Sequence, residues 1–142
     1  MWIMTTTGYY SIVEKPWDTK ENTLTIRARM RDDIDAAYSA IPAEERIGKI
    51  EEDDRADYRF RFRAYRVAVA SWMLSNVLDI KYDNFKNEVK NTQGYDRAAV
   101  YGRCWDELYD MQWRNCLEEK EQIGKSVYAP NYAIDPLGGD DK

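Results

Sequence analysis

The sequence predicts an α+β fold: an antiparallel sheet of three to five strands, helices packed on one face, and a long C-terminal helix. Three observations carry this. Apolar side chains recur at every second position in residues 23–29 and 58–63, then every three or four positions from Tyr65 onward. The strand-like segments come mostly before the helical ones rather than alternating with them, which favours an antiparallel sheet. The chain has 142 residues, 44% of them hydrophobic, enough to bury one ordinary core and too apolar for disorder.

Each element has a local reason. Residues 1–6 and 9–15 are rich in β-branched and aromatic types, with Gly8 marking the turn between them. Pro16-Trp17-Asp18 and the polar stretch to Asn22 form the next connection. In residues 23–29, Leu24, Ile26 and Ala28 point one way while Thr25, Arg27 and Arg29 point the other. Asp32 is expected as the N-cap of a helix whose core stripe is Ile34, Ala37, Tyr38 and Ile41, ended by Pro42. The acidic stretch 43–55 is ambiguous: Ile47 and Ile50 suit a short helix, but Gly48 weakens it and a strand or loop fits nearly as well. Tyr58 leads a strand that turns Phe60 and Phe62 inward and Arg59, Arg61 and Arg63 outward.

From Tyr65, a helix carries Val67, Ala70, Leu74, Val77 and Leu78 on one side, with Val69, Trp72 and Met73 over much of the rest. Apolar nearly all round, it is expected to be buried. A short helix through Phe85 and Val89 ends near Gln93-Gly94. The last helix, residues 95–123, has a stripe of Ala98, Tyr101, Cys104, Trp105, Leu108 and Met111 opposite a charged face, and stops at Gly124. Residues 1–124 thus form a single domain, and 125–142 a partly mobile tail anchored by Val127, Tyr128, Tyr132 and Ile134.

Composition narrows the chemistry. There is no His, so every His-based triad, His metal site and His general base is excluded. Two cysteines twelve residues apart on one helix stand about 18 Å apart along its axis, too far to bridge. Unpaired thiols fit a reducing cytoplasm, and Cys104 reads as a core hydrophobe. The N-terminus lacks the basic and apolar regions of a signal peptide, and no run is long enough to span a bilayer. The acidic run Glu51-Glu52-Asp53-Asp54 lacks the spacing and turn glycine of a calcium loop. Asp79 with Glu88-Val89-Lys90 superficially resembles a nuclease set, but that set needs a strand under the Glu-x-Lys pair. No phosphate-cradling glycine loop or nucleophile elbow is present, so no catalytic residue, cofactor or metal site is assigned. Asn84, Lys86, Gln93 and Arg97 fit a pocket rim, or more simply cap helices and fix turns.

The most informative constellation is the Arg-alternating strands. Arg27, Arg29, Arg59, Arg61 and Arg63 are expected on one solvent-facing surface, as the ligand- or partner-binding patch of an otherwise acidic protein of net charge −5. A plainer reading pairs them with nearby carboxylates on a solvated sheet face. Base stacking beside them is disfavoured, because the two Phe of the second strand face away.

The opening Met-Trp-x-x-Thr-x-x-Gly-x-x-Ser-x-Val-x-Lys-Pro, then Leu24-Thr25-Ile26-Arg27-Ala28-Arg29 and Arg31-Asp32-Asp33, resembles a family of small bacterial and phage-borne proteins. Tyr82-x-Asn84-Phe85-Lys86, Gln93-Gly94, Arg97, Tyr101 and Trp105 continue the resemblance to about Leu108. It carries over no activity. The functional expectation is a small acidic non-catalytic binding protein acting stoichiometrically on a protein or nucleoprotein, of the kind a phage or mobile element uses to inhibit a host system. The alternatives are a binder of an anionic ligand (nucleotide or RNA) through the Arg-rich face, and a carboxylate- or metal-dependent enzyme.

Overall fold

A computed structural model describes residues 1–122, the side chains of 115–122 excepted. The expectations for Ile123, Gly124, the tail and the side chain of Cys116 lie outside the described residues. Five antiparallel strands form one sheet: β1 (Trp2–Thr5), β2 (Gly8–Val13), β3 (Thr23–Ala28), β4 (Arg46–Glu52) and β5 (Phe60–Tyr65), in spatial order β1-β2-β3-β5-β4. The helices are α1 (Arg31–Ala40), α2 (Arg66–Leu78), α3 (Phe85–Gln93) and α4 (Tyr95–Gln122). The chain divides into two compact units, Met1–Tyr101 and Gly102–Lys142. No helix among the described residues is long and apolar enough to cross a membrane.

The core lies between α1, α2 and one face of the sheet. Tyr10, Ile12, Ile26, Ala28, Phe60, Phe62 and Ala64 supply the sheet side; Ile34, Ala37, Ile41, Ala68, Val69 and Trp72 supply the helical side. The alternation in β3 and β5 therefore holds, and pairing of Ile26 with Phe62 and Ala28 with Phe60 sets the register. At the β1–β2 hairpin the Thr5 hydroxyl accepts from the backbone N–H of Thr7 and Gly8, both at 3.1 Å. Gly8 is there for space: a Cβ would stand 2.7 Å from the Tyr10 hydroxyl and 2.8 Å from Asp33 Cβ.

Two local expectations are corrected and one left open is resolved. Helix α1 begins at Arg31, with Met30 as an N-cap that makes no side-chain bond, so Asp32 lies inside the first turn. The Arg31–Asp35 ion pair, 2.9 Å and one turn apart, draws Arg31 into the helix. The ambiguous stretch resolves into a 3₁₀ turn, Ala43–Glu45, followed by edge strand β4. It shows no alternation because it has little core to face, and its pairing with β5 is interrupted between Ile47 and Glu51, where Gly48 takes φ 74°. Helix α2 is not buried all round. Ala68, Val69 and Trp72 are buried in the core and Met73 packs half-buried against it, while Val67, Leu74, Val77 and Leu78 are 58–71% exposed. The sheet can cover one face of a helix, and the larger apolar arc is turned outward.

Helix α3 follows expectation: the Asn84 side chain caps it by accepting from Asn87 N at 3.1 Å, and Gly94 ends it at φ 89°. In the second unit, Trp105 stacks on Tyr109 at 5.0 Å and Tyr109 meets Trp113 edge-on at 5.9 Å. Cys104 is half-buried there rather than a core residue.

Candidate functional site

The face of the sheet away from α1 and α2 is built in rows by the strand register. One row crosses all five strands: Trp2 opposite Ser11, Ser11 opposite Arg27, Arg27 opposite Arg61, and Arg61 opposite Glu51. The adjacent row is Val13, Thr25, Arg63 and Ile47. Three of the five arginines thus stand side by side on the central strands. Arg29 joins them just beyond β3: its guanidinium lies 4.4 Å from the centre of the Tyr58 ring, with that of Arg27 at 4.5 Å. Arg59 is set apart at the start of β5, paired with Glu52 and Asp54, each at 2.7 Å.

These arginines do not form an open basic surface. The connections on either side fold back and supply acids. The β2–β3 connection brings Asp18 to Arg63 at 2.9 Å and Glu21 to the same guanidinium at 2.5 Å. The β4–β5 connection brings Asp53 to Arg61 at 3.2 Å and Asp57 to within 3.9 Å of Arg27. Six carboxylates (Asp18, Glu21, Glu52, Asp53, Asp54 and Asp57) therefore stand against four of the five guanidiniums, those of Arg27, Arg59, Arg61 and Arg63. The side chains of Arg27, Arg61 and Arg63 are only 16%, 25% and 21% exposed. The physical reason is the like charge of neighbours on adjacent strands, such as Arg27 and Arg61, which favours counter-charge from the nearest loops. Within the acidic run 51–54, Glu52 and Asp54 pair with Arg59 and Asp53 with Arg61. Among the described residues no cluster of three or more His, Cys, Asp or Glu side chains is placed to hold a metal.

Asp18 is the hub that sequence reasoning passed over as a turn residue. It is fully buried and accepts from Lys15 N at 2.9 Å, Thr23 Oγ1 at 2.6 Å, Thr25 Oγ1 at 2.7 Å and Arg63 Nε at 2.9 Å. Burial acts to raise its pKa, but the bonds from Thr23, the Lys15 backbone, Thr25 and Arg63 together outweigh it, and the carboxyl titrates below its ordinary value. Arg27 donates to the buried Ser11 hydroxyl at 2.7 Å. Tyr9, between β1 and this layer, has its pKa pushed up to about 12 by burial and by the Tyr58 hydroxyl, with Arg29 opposing. At the rim stand residues open to solvent: Trp2, 72% exposed, Met4, and Trp17, 53% exposed, whose backbone carbonyl accepts from Arg63 at 3.3 Å. Trp2 meets Tyr9 edge-on at 6.2 Å. Their placement beside the arginines was hidden in the sequence, because it depends on which strand pairs with which.

The other singled-out residues serve the frame. Arg97 clamps the buried Asp33 through two bonds of 2.7 and 2.8 Å, and Asp33 also accepts from Tyr9 N at 3.1 Å. Gln93 donates to Thr5 O at 3.2 Å and Thr92 to Thr6 O at 3.0 Å, fastening α3 to the first hairpin. Asn84, Gln93 and Arg97 thus cap and fasten. Asp79 caps the end of α2, while Glu88 and Lys90 lie on α3, so no strand supports a nuclease-like set. No family model, curated protein or solved structure matches this chain.

Proposed function

We propose that this protein is a stoichiometric protein-binding module that engages its partner through the sheet face away from α1 and α2. The observation that carries the reading is the combination on that face of exposed Trp2, Trp17 and Met4 around an arginine–tyrosine layer in which Arg27, Arg61 and Arg63 are already paired with carboxylates. Trp, Tyr and Arg are the residue types that dominate binding energy at protein interfaces, especially where a packed layer keeps them rigid. A polyanion gains little here, because it would have to displace carboxylates already bonded to Arg59, Arg61 and Arg63. Of the five, only Arg29 has no carboxylate partner among the described residues, donating instead to the Asp57 carbonyl at 3.2 Å. Inhibition of a host system by a phage-borne or mobile-element protein is one biological setting for such a module.

The test compares the wild type with the double variant Trp2→Ala, Trp17→Ala, and with Arg29→Ala. Both tryptophans are exposed, so the double variant keeps its fold to within about 1 kcal/mol. It should recover at least tenfold less of whatever protein the wild type retains from the native host, since anchors of this kind contribute about 2 kcal/mol or more. Single-stranded oligonucleotide binding at low salt that is abolished by Arg29→Ala, with protein capture unaffected by the tryptophan changes, would replace this reading by the anionic-ligand one.

A further inference from the structure

The outward arc of α2 is a second surface, separate from the sheet face. Val67, Ala70, Leu74 and Val77 follow the three-four-three spacing of a two-helix seam, with Leu78 beside them, and all are exposed. Six hydrophobic or small positions at this spacing, Ser71 included, on a well-formed 13-residue helix are costly to leave in water. We propose that this arc is a two-fold interface at which α2 packs antiparallel against α2 of a second copy of the chain.

Two features select a second copy over another helix. The first is the register. The seam is symmetric about position 72, so an antiparallel copy sets Val67 against Val77 at both ends and Ala70 against Leu74, small against large, in the two pairs between them. Trp72, at the centre of the symmetry, is turned into the core and does not obstruct the approach. The second is charge. Helix α2 has no acidic residue in its first turn and no basic residue in its last, and it ends on Asp79, a negative charge at the negative pole of its own dipole. Among the described residues Asp79 has no ion-pair partner. An antiparallel copy places Asp79 beside the other helix's positive pole, where Arg66 begins, and does so twice. Such a seam is short, about 15 Å between Val67 and Val77, so the dimer is concentration-dependent rather than obligate.

Sedimentation velocity on the full chain is the experiment. The wild type is expected to shift from monomer to dimer as concentration rises through the micromolar range. Leu74→Glu, at an exposed position, should remain monomeric with unchanged circular dichroism, and Asp79→Lys should weaken the dimer about tenfold. Orientation is read by cross-linking in a Cys104→Ser, Cys116→Ser background. Val67→Cys chains mixed with Val77→Cys chains should form a disulfide dimer, whereas neither does so alone. A wild type that stays monomeric throughout, a dimer indifferent to Leu74→Glu, or Val67→Cys chains that cross-link to one another would each overturn the proposal.

Discussion

Asp18 shows how much one residue can be asked to do. Its carboxylate gives up all contact with water and recovers four donors, one of them the guanidinium of Arg63 from strand β5, which lies next to β3. With its pKa held below the unfolded value of about 3.9, its stabilising contribution is complete above that pH and drains away as pH falls towards the folded value. Asp18→Asn should therefore cost roughly 2–4 kcal/mol at pH 7 and flatten the acid limb of the stability profile below about pH 4. Urea titrations at pH 7 and pH 3 check both; an equally steep acid limb in the variant contradicts the role. Tyr10 gives the opposite limb. Burial pushes its hydroxyl up to about 12, with Thr7 partly opposing through a hydrogen bond and Asp33 adding to the rise. The folded state thus favours the neutral phenol, and that stabilisation is present below about pH 10 and lost as pH rises towards 12. Tyr10→Phe keeps the edge contact with Trp72, 5.0 Å between ring centres. It should remove part of the alkaline destabilisation seen by thermal melts between pH 9 and about 11. A variant with the wild-type alkaline limb would contradict this. Neither role was legible locally: Asp18 sits in a Pro-Trp-Asp turn, and Arg63 reaches it across 45 positions.

Helices and strands were readable wherever one face met the core and the other did not. Strands β3 and β5 satisfy that condition, and so their period of two and the face each side chain takes were legible, though their pairing with each other was not. Strand β4 does not, because it lies at the sheet edge with no fully buried residue. Helix α2 failed differently. Its sequence carries two apolar arcs, and periodicity cannot say which of them the sheet covers. The smaller arc won because it holds Trp72, the side chain that reaches Tyr10. The first hairpin makes a sharper element-scale prediction. Gly8→Ala places a methyl group against Tyr10 and Asp33, so the hairpin must shift from α1 and disturb the bonds joining Asp33 to Arg97 and Tyr9 N. The expected cost is about 1–3 kcal/mol in urea unfolding, from overpacking a tight site. An unchanged midpoint would mean that the hairpin moves freely.

At the scale of the whole molecule, the acidic net charge and the arginine strands are parts of one arrangement. The chain carries 26 acidic and 21 basic residues, and six of the acids are spent on the arginines of one sheet face. The sequence showed that arginines would gather; it could not show that loops 17–21 and 53–57 return over them, because that depends on tertiary folding. What remains exposed is the aromatic rim, where a partner is proposed to dock. The most direct measurement is site-specific photo-crosslinking in the native host. A photoreactive phenylalanine is placed at Trp2 or Trp17, and in parallel at exposed positions Glu44 and Lys90 elsewhere on the surface. The expected result is one protein adduct common to positions 2 and 17 and missing from 44 and 90. Adducts that arise equally at all four positions, or only at 44 and 90, would contradict it.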